Sequence, residues 1–478
     1  MPPNSSPTVA VIGGGFSGSV FALKLVRALP NAHVTLIERD RRIGRGLAYG
    51  ACAPDHLLNV PVSRMELGLV PSFAEWLDRR RGLLADALVE SGGDLLAAFV
   101  PRELFGAYLE EQVSNSAGHG VNIVRGEAVG LLEYPGRGVL LADGREISAD
   151  IVVLATGNLP PRPPAARDAW LYDTQIFVPD PWARDALDDL PKDAPVVLLG
   201  TGLTMVDVAL KLASNGHIGP MHALSRRGYL PLAHLAGGHW PAFFDAHEHA
   251  SPLRLMRLLR GEAKKAEMHG IPWQRVMDAM RPAVAGVWAS WSGAERLQFL
   301  RHLRPRWDIH RHRMAPRIAN RLKGLVDSGQ LCVRGGRVLA YRRSETCADV
   351  VFRERNTGNE LTIRASRVIN CTGPRSDLDR LAFPILADLR RRGLILPDDL
   401  GLGIETDDCA VLGSAGHVSP WLYALGPLTR PSWWEVVAVP EINAQIDRLV
   451  RKLSALAPST PELANSLADA FSDLGAGI

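Results

Sequence analysis

With 478 residues the chain is too long for one simple hydrophobic core, so two or three domains are expected. Its 46% apolar and 22% charged residues are those of an ordinary globular protein, and a net charge of +3 from scattered basic residues points to no nucleic-acid or membrane partner. The five cysteines include no C-x-x-C pair, which excludes a thioredoxin-type redox disulfide and gives no metal-ligand spacing, so we expect no metal. No N-terminal segment is typical of a signal peptide, and we expect a cytoplasmic location.

A glycine-rich turn follows the first apolar stretch. Residues 8–12 predict a buried parallel strand, and residues 17–28 predict a helix with an apolar inner face. The intervening G-x-G-x-x-G pattern would place a pyrophosphate at the helix N-terminus. The next strand, residues 34–37, ends in Glu38, where a carboxylate normally accepts hydrogen bonds from ribose hydroxyls and favours FAD or NAD over NADP. The cofactor-binding residues predicted here are Gly13, Gly15, Phe16, Ser17, Gly18 and Glu38.

A second glycine-rich segment follows at residues 41–50. Gly46 would let the backbone pass close to a pyrophosphate, and Arg45 could neutralise its charge. The alternative is a connection with a solvated arginine cluster. We include both residues among the cofactor-binding candidates.

Two apolar strands end in Thr-Gly, at residues 151–157 and 367–373. Such pairs resemble the crossings between the FAD and NAD(P) domains of two-dinucleotide flavoproteins. We therefore predict an α/β fold with two Rossmann-like domains, in which residues 1–165 and 373–478 form the FAD domain, with a C-terminal helix, and residues 166–372 form the NAD(P) domain. The crossings add Thr156, Gly157 and Gly373 to the predicted cofactor contacts.

The second of the two nucleotide turns follows a strand predicted at residues 194–199 and precedes a helix at 204–214. Met205 replaces the third glycine, which suggests a wider approach of helix and strand. The next strand, residues 221–224, leads to two arginines that suit a 2′-phosphate, so NADPH is the predicted reductant and NADH is also possible. The alternative is a solvated strand end. The predicted contacts are Gly200, Gly202, Leu203, Thr204, Arg226 and Arg227.

Residues 230–329 show helical spacing interrupted by prolines, which predicts a largely helical insertion in the second domain. Arginines and histidines alternate over residues 304–313 and could form a cationic pocket for a carboxylate substrate. Alternatively, they anchor the insertion or pair with acids of the FAD domain. An aromatic wall after residue 430 could belong to the pocket or to the core. The substrate-binding candidates are His310, Arg311, Arg313 and Trp434.

Over about residues 8–455 the chain resembles a bacterial family of FAD/NAD(P)-binding proteins. The resemblance rests on longer strings than a glycine turn, at residues 13–18, 46–50, 56–61, 307–316 and 425–430. This family is similar in layout to NADPH-dependent flavin monooxygenases, including N-hydroxylases that act on ornithine, lysine or aspartate. The resemblance thus implies an FAD-dependent, NADPH-oxidising monooxygenase that hydroxylates a small substrate with O2 through a C4a-hydroperoxyflavin.

In such a protein the flavin carries the chemistry, so we nominate no catalytic side chain. The resemblance implies that Asn59 lies near the isoalloxazine, although an Asn before Pro61 also suits a turn. Gly426 and Pro427 stand where many relatives have Gly-Asp, whose acid contacts the ribityl chain, and a backbone N–H could serve in its place.

Two other functions remain open at this point. A flavin-dependent NAD(P)H reductase or dehydrogenase would pass electrons to a quinone or carrier. A redox sensor would bind both nucleotides without turnover.

Overall fold

The computed structural model describes residues 6–133, 136–183, 185–245, 249–344, 346–375, 378 and 383–456. The strands are β1 (Thr8–Ile12), β2 (His33–Glu38), β3 (Val121–Arg125), β4 (Ala128–Leu132), β5 (Gly138–Leu141), β6 (Glu146–Ser148), β7 (Ile151–Leu154), β8 (Phe177–Val178), β9 (Val196–Leu199), β10 (Met221–Ser225), β11 (Leu331–Arg343), β12 (Ala348–Glu354), β13 (Glu360–Ala365), β14 (Arg367–Asn370), β15 (Thr406–Asp407), β16 (Ala410–Leu412) and β17 (Val418–Ala424). The helices are α1 (Phe16–Ala28), α2 (Gly46–Gly50), α3 (Phe73–Asp78), α4 (Ala85–Glu90), α5 (Arg102–Ser116), α6 (Leu203–Ser214), α7 (Pro252–Met268), α8 (Trp273–Met280), α9 (Val284–Ser290), α10 (Gly293–Gln298), α11 (Arg304–Arg311), α12 (Pro316–Asp327), α13 (Pro384–Arg391) and α14 (Val439–Leu456).

The first sheet has the order β15-β16-β17-β7-β1-β2-β3. Its strands from β17 to β3 are parallel, whereas β15 and β16 pair antiparallel at one edge. Both faces are covered: Val9 and Val11 pack in one core, and Ala10 and Ile12 pack in another. A strand buried on both faces needs a continuous apolar run, which is what residues 8–12 provide.

The second sheet has the order β13-β12-β11-β10-β9-β14-β8, again with a parallel part and an antiparallel edge. Its strands lie between β7 and β15 in the sequence, so the chain leaves the first sheet, builds the second and returns. Leu159 and Arg375 form an antiparallel bridge where the outgoing and returning segments pass each other. A small antiparallel sheet, β4-β5-β6, follows β3.

Helices α7 to α12 lie between β10 and β11, and a π-helical turn, Phe299–Leu303, joins α10 to α11. Their core contains Trp288, Phe299 and Trp307 and also takes in Trp434 from the returning segment. This helical layer therefore packs against the chain that follows the second sheet. The helical pattern beyond residue 456 lies outside the described residues.

Within the part of the chain that the structure describes, no helix combines the length and the apolar character needed to cross a membrane.

Candidate functional site

The first glycine turn joins β1 to α1, and close contacts with the surrounding backbone fix its conformation. Gly13 has φ +107°, and its N–H donates to the Ile37 carbonyl at 2.9 Å. A Cβ on Gly13 would lie 2.3 Å from the Ala155 carbonyl oxygen, and one on Gly18 would lie 1.9 Å from the Gly13 oxygen. Only glycine fits either place, because backbone approaches backbone there.

Helix α1 starts at Phe16 with Gly15 as its N-cap, and no side chain caps its first N–H groups. The N-terminus of a helix without a side-chain cap favours an anion, since its N–H donors and dipole have no other partner. Ser17, at the second helical position, is buried beside this turn. These residues can therefore receive a pyrophosphate.

The Glu38 carboxylate lies beside the same turn and is 9% exposed. Its Oε2 accepts from the Gly14 N–H at 2.8 Å, and its Oε1 accepts from the Asp40 N–H at 2.9 Å. These bonds hold the carboxylate in one orientation, and each oxygen keeps a lone pair for a ribose hydroxyl.

Residues 44–50 also approach the first turn. A Cβ on Gly15 would lie 3.3 Å from the Gly46 Cα, and Gly46 has φ +52°. The Arg45 Nε donates to Glu110 at 2.7 Å, so its charge already has a protein partner. Gly46 is consequently the better placed of these two candidates for a pyrophosphate.

A buried hydroxyl marks the crossing after β7. Thr156 Oγ1 has no hydrogen-bond partner among the described residues, and the Thr156 Cα lies 3.4 Å from where a Cβ on Gly13 would be. Buried polar atoms are rarely unpaired, so a partner from a bound molecule would suit this hydroxyl. Gly157 and Gly373, at the ends of the two crossings, have φ +71° and +82°.

The returning segment reaches the first turn at Gly426, where a Cβ would lie 2.8 Å from Ser17 Oγ. The Gly426 N–H donates to Gln445 Oε1 at 2.8 Å inside the protein. Pro427 has no N–H to offer. The backbone donor that the sequence suggested for a ribityl chain is therefore already bonded to Gln445, a buried residue of α14.

The second turn repeats the backbone construction of the first. Gly200 has φ +114°, its N–H donates to the Leu224 carbonyl at 2.8 Å, and a Cβ on it would lie 2.3 Å from the Cys371 oxygen. Gly202 is the N-cap of α6, again with no side-chain cap. A Cβ on Gly202 would meet nothing within 4 Å, so there is room beside this turn.

Leu203 and Thr204 form the first positions of α6, whose N–H groups face the same opening. Arg226 is exposed and Arg227 half-buried just beyond β10. A hydrogen bond from Arg227 lowers the pKa of the half-buried Tyr229 phenol. The Tyr229 carbonyl accepts from Thr201 Oγ1 at 2.6 Å, which ties this arginine-rich strand end to the second turn.

A buried ion pair joins the domain of the first glycine turn to the domain of the second. Arg102 at the start of α5 donates two bonds to the Asp207 carboxylate of α6, at 2.7 and 3.1 Å, and both side chains are about a tenth exposed. Arg102 also donates to Asn59 Oδ1 at 3.4 Å. His234 Nε2 donates to the Asn59 carbonyl at 2.8 Å, and His56 Nε2 donates to the Asp207 carbonyl at 3.1 Å. Asn59 thus lies at the junction of the two glycine-turn domains.

Arg102 and Asp207 are not among the site residues predicted from the sequence. A signal was present: Asp207 is the one acidic residue of α6, and it stands in an otherwise apolar stretch. A buried carboxylate needs a cationic partner, but the sequence does not say which residue supplies it.

The two junction histidines favour the neutral state. Burial lowers the pKa of His56. Burial, with the nearby Arg313 charge, lowers the pKa of His234 to about 4. Since the Ala53 N–H donates to His56 Nδ1 at 3.1 Å, the neutral ring carries its proton on Nε2 and donates to Asp207.

The candidates for substrate binding do not converge on one pocket. Arg311 is 6% exposed and pairs with Glu435 at 3.2 Å and Glu441 at 2.8 Å, which favours its role as an anchor to the returning segment. Arg313 pairs with Asp278 inside the insertion.

The other two candidates have separate surroundings. Trp434 stacks on Trp288 with ring centroids 4.6 Å apart, as a core residue does. His310 lines a cleft within the helical insertion instead.

Comparison with known proteins agrees with this geometry. Residues 10–159 match the model of a protein family described as FAD-NAD(P)-binding. No curated protein sequence matches the chain.

Three solved structures show the same fold. An ornithine N-hydroxylase from Kutzneria sp. 744, described with reduced FAD, NADP+ and L-ornithine, is 17% identical over 93% of this chain and 100% of that chain, with a TM-score of 0.61. L-lysine 6-monooxygenase from Pseudomonas syringae is 16% identical over 94% and 99%, with a TM-score of 0.64. The bacillithiol disulfide reductase from Staphylococcus aureus is 12% identical over 95% and 99%, with a TM-score of 0.57.

At these identities the likeness shows the fold, and it confirms the predicted α/β architecture and the resemblance to flavin monooxygenases in layout. The chain therefore carries an FAD-NAD(P)-binding domain over residues 10–159, within the fold of two-dinucleotide flavoproteins.

Proposed function

We propose that the protein is an FAD-dependent, NADPH-oxidising monooxygenase that hydroxylates a small substrate with O2. The observation that carries this proposal is the pair of glycine turns, each ending in a helix N-terminus without a side-chain cap, joined through the Arg102–Asp207 ion pair. The fold neighbours include enzymes named for hydroxylating ornithine and lysine, which supports N-hydroxylation of an amino acid, with aspartate as one candidate. The lack of a C-x-x-C pair argues against disulfide reduction.

The first turn has the features that FAD requires. The N–H groups at the start of α1 would hold the pyrophosphate, Glu38 would accept from the ribose hydroxyls, and the unpaired Thr156 hydroxyl would gain a partner. When bound, FAD would accept hydride from NADPH and activate O2 for transfer to the substrate.

The second turn would hold the nicotinamide nucleotide. The space beside Gly202 would take the pyrophosphate, and Arg226 and Arg227 would receive the 2′-phosphate. A nucleotide site with this much room suits a coenzyme that must enter and leave in each turnover.

Asn59 would orient the reacting groups. Arg102 donates to its Oδ1, so a ligand would meet the Nδ2 end of the amide as a hydrogen-bond donor. His234 holds the backbone of the same residue from the second domain. Movement of α6 would therefore reach Asn59 through Asp207 and Arg102.

The test begins with the purified protein. We expect bound flavin, loss of its absorbance near 450 nm on anaerobic mixing with NADPH, and, with the right amino acid present, hydroxylated product after O2 is admitted. Rapid superoxide or peroxide release without product across an amino-acid screen would instead indicate a reductase. Protein that never retains flavin would overturn the proposal.

Gly202→Ala tests the proposed NADPH site without disturbing the fold. Its methyl group meets no protein atom within 4 Å, so the melting temperature and flavin content should stay as in the wild type. The same methyl group would enter the space proposed for the pyrophosphate, so the NADPH dissociation constant should rise at least about tenfold. Unchanged NADPH binding would place the coenzyme elsewhere.

A further inference from the structure

The helical insertion contains a cleft that neither glycine turn uses. It encloses about 320 Å³ between α7, α8, the π-helical turn and α11. Leu255, Val276, Phe299 and Trp307 contribute to its mostly apolar wall, and each is less than a tenth exposed. A cleft of this volume with buried walls has the size of a small-molecule site.

Basic side chains complete the lining. Arg260 of α7 and Arg306 of α11 are exposed, and His310 of α11 is half-buried. No described residue that lines the cleft is acidic. The apolar surface therefore lies at depth and positive charge lies at the exposed rim, a distribution that complements a molecule with an apolar body and an anionic head.

The side chains of α11 make two kinds of contact: one set lines the cleft and another pairs with acids of the returning segment. Arg306, Trp307 and His310 of α11 and Leu303 at the end of the π-helical turn follow the i, i+3, i+4, i+7 spacing of one helical face, and all line the cleft. Arg311 lies outside this set and pairs with Glu435 and Glu441. The arginine- and histidine-rich stretch thus combines an anchoring face with a second, ligand-accessible face.

Two local features shape that second face. The π-helical turn Phe299–Leu303 places residues from both its ends in the cleft wall, and such turns are frequent at functional sites. The His310 Nδ1–H donates to the Arg306 carbonyl at 2.7 Å, and the ring packs edge-on to Trp273 at 4.8 Å. In the neutral ring Nε2 is then a hydrogen-bond acceptor, so a carboxylate at the rim would be bound by the two arginines.

We propose that this cleft binds an amphipathic carboxylate, with an apolar body of about eight to ten carbon atoms in the cleft and its carboxylate at Arg260 and Arg306. The cleft lies outside both glycine turns, although Arg306 at its rim also hydrogen-bonds the Tyr229 phenol that Arg227 contacts. Its ligand is a third molecule beside the two nucleotides, so the proposal does not rest on the redox activity. A small molecule fits better than a protein segment, because the apolar wall is buried rather than presented on a flat face.

Isothermal titration with decanoate, 1-decanol and decylamine tests the proposal on the full-length protein, since the three probes share one apolar chain. We expect saturable binding of decanoate at one site, about tenfold weaker binding of decanol and still weaker binding of decylamine. In the Arg260→Gln/Arg306→Gln double variant, decanoate should lose about tenfold in affinity while decanol is unchanged. Lys264→Gln, an exposed residue of α7 that does not line the cleft, is the charge-matched control.

Ala263→Phe places a ring in the cleft and should weaken both decanoate and decanol by at least tenfold. Melting temperatures of all variants would show that they fold. Equal decanoate binding by wild type and both cleft variants, or equal affinity for decanoate and decylamine, would overturn the proposal. So would an Ala263→Phe variant that changes the molecular mass in solution while decanoate does not bind the wild type, because the cleft would then be a protein interface.

Discussion

The two glycine turns share one backbone construction. In each, the first glycine has a φ above +100°, donates to a carbonyl of the neighbouring strand and lies against a carbonyl of a crossing strand, Ala155 for Gly13 and Cys371 for Gly200. In each, the following helix begins without a side-chain cap. The chain therefore repeats a single device for presenting a helix N-terminus to a phosphate.

Their surroundings differ. Gly18 packs its backbone on Gly13, whereas its counterpart Met205 fills the core with a full side chain. The acid Glu38 bonds to the first turn, whereas arginines follow the strand beside the second. Of the two N-cap glycines, Gly15 lies against Gly46, whereas a Cβ on Gly202 would meet nothing within 4 Å. We infer that the same backbone motif holds FAD closely at the first turn and an exchangeable coenzyme at the second, with the difference set by side chains.

The largest effects should come from the first glycine of each turn. Gly13→Ala should lower the free energy of unfolding by more than about 3 kcal/mol and abolish flavin retention, because the methyl group collides with Ala155 at a positive φ. Gly200→Ala should abolish NADPH binding while flavin is retained. Flavin content and NADPH titration measure both. Gly261→Ala in α7, where a methyl group meets nothing, is the control, and equal flavin loss in the control would refute this account.

The next largest effects should come from variants of the Arg102–Asp207 ion pair between the two domains. Arg102→Met leaves the Asp207 carboxylate buried without its partner and should cost about 3 kcal/mol of unfolding free energy. Arg102→Met/Asp207→Leu should recover much of that stability, but hydride transfer from NADPH should remain slow because Asn59 is no longer held. Stopped-flow flavin reduction would separate the two effects; a double variant with the wild-type rate would show that the ion pair is structural only.

The second turn has Arg226 and Arg227 where the first has Glu38, and this difference predicts that the second site prefers NADPH to NADH. Arg226→Gln/Arg227→Gln should raise the NADPH dissociation constant about 10- to 30-fold and leave that of NADH unchanged, because only the 2′-phosphate loses its partners. Arg257→Gln, an exposed residue of α7, controls for loss of positive charge. Equal weakening of both coenzymes would mean that the two arginines act on something other than the 2′-phosphate.

The smallest expected effect is the pH dependence of the free energy of unfolding that His234 causes at the domain junction. The pKa of His234 is about 4 in the folded protein, below the value of about 6.5 for a free histidine, so the unfolded chain binds the extra proton first as pH falls. Above about pH 6.5 the histidine is neutral in both states and does not affect the free energy of unfolding. By pH 5.5 that free energy should fall by about 1 kcal/mol, because only the unfolded chain has taken up the proton. His234→Gln keeps a donor for Asn59 and should flatten that part of the profile in denaturant titrations. Identical pH profiles for the two proteins would contradict the assignment.

Local pattern accounts for most elements of the first domain. The strand at residues 8–12 has the predicted bounds, the predicted helix begins one residue earlier, and Glu38 ends the next strand as expected. These features depend on neighbours in the sequence: a continuous apolar run, helical spacing and glycines with no Cβ. The Rossmann-like architecture and the match to an FAD-NAD(P)-binding family model follow from the same signals.

The roles of individual charged and polar groups were decided by tertiary structure. Asp207 finds Arg102 105 residues away, Arg311 finds Glu441 130 residues away, and the Gly426 N–H is taken by Gln445 on the C-terminal helix. Local sequence was sufficient to predict where the chain bends and which faces are apolar, and it predicts two helix N-termini as phosphate sites. It could not determine pairing between distant charges, because the free energy of a buried charge depends on which partner the completed fold brings to it.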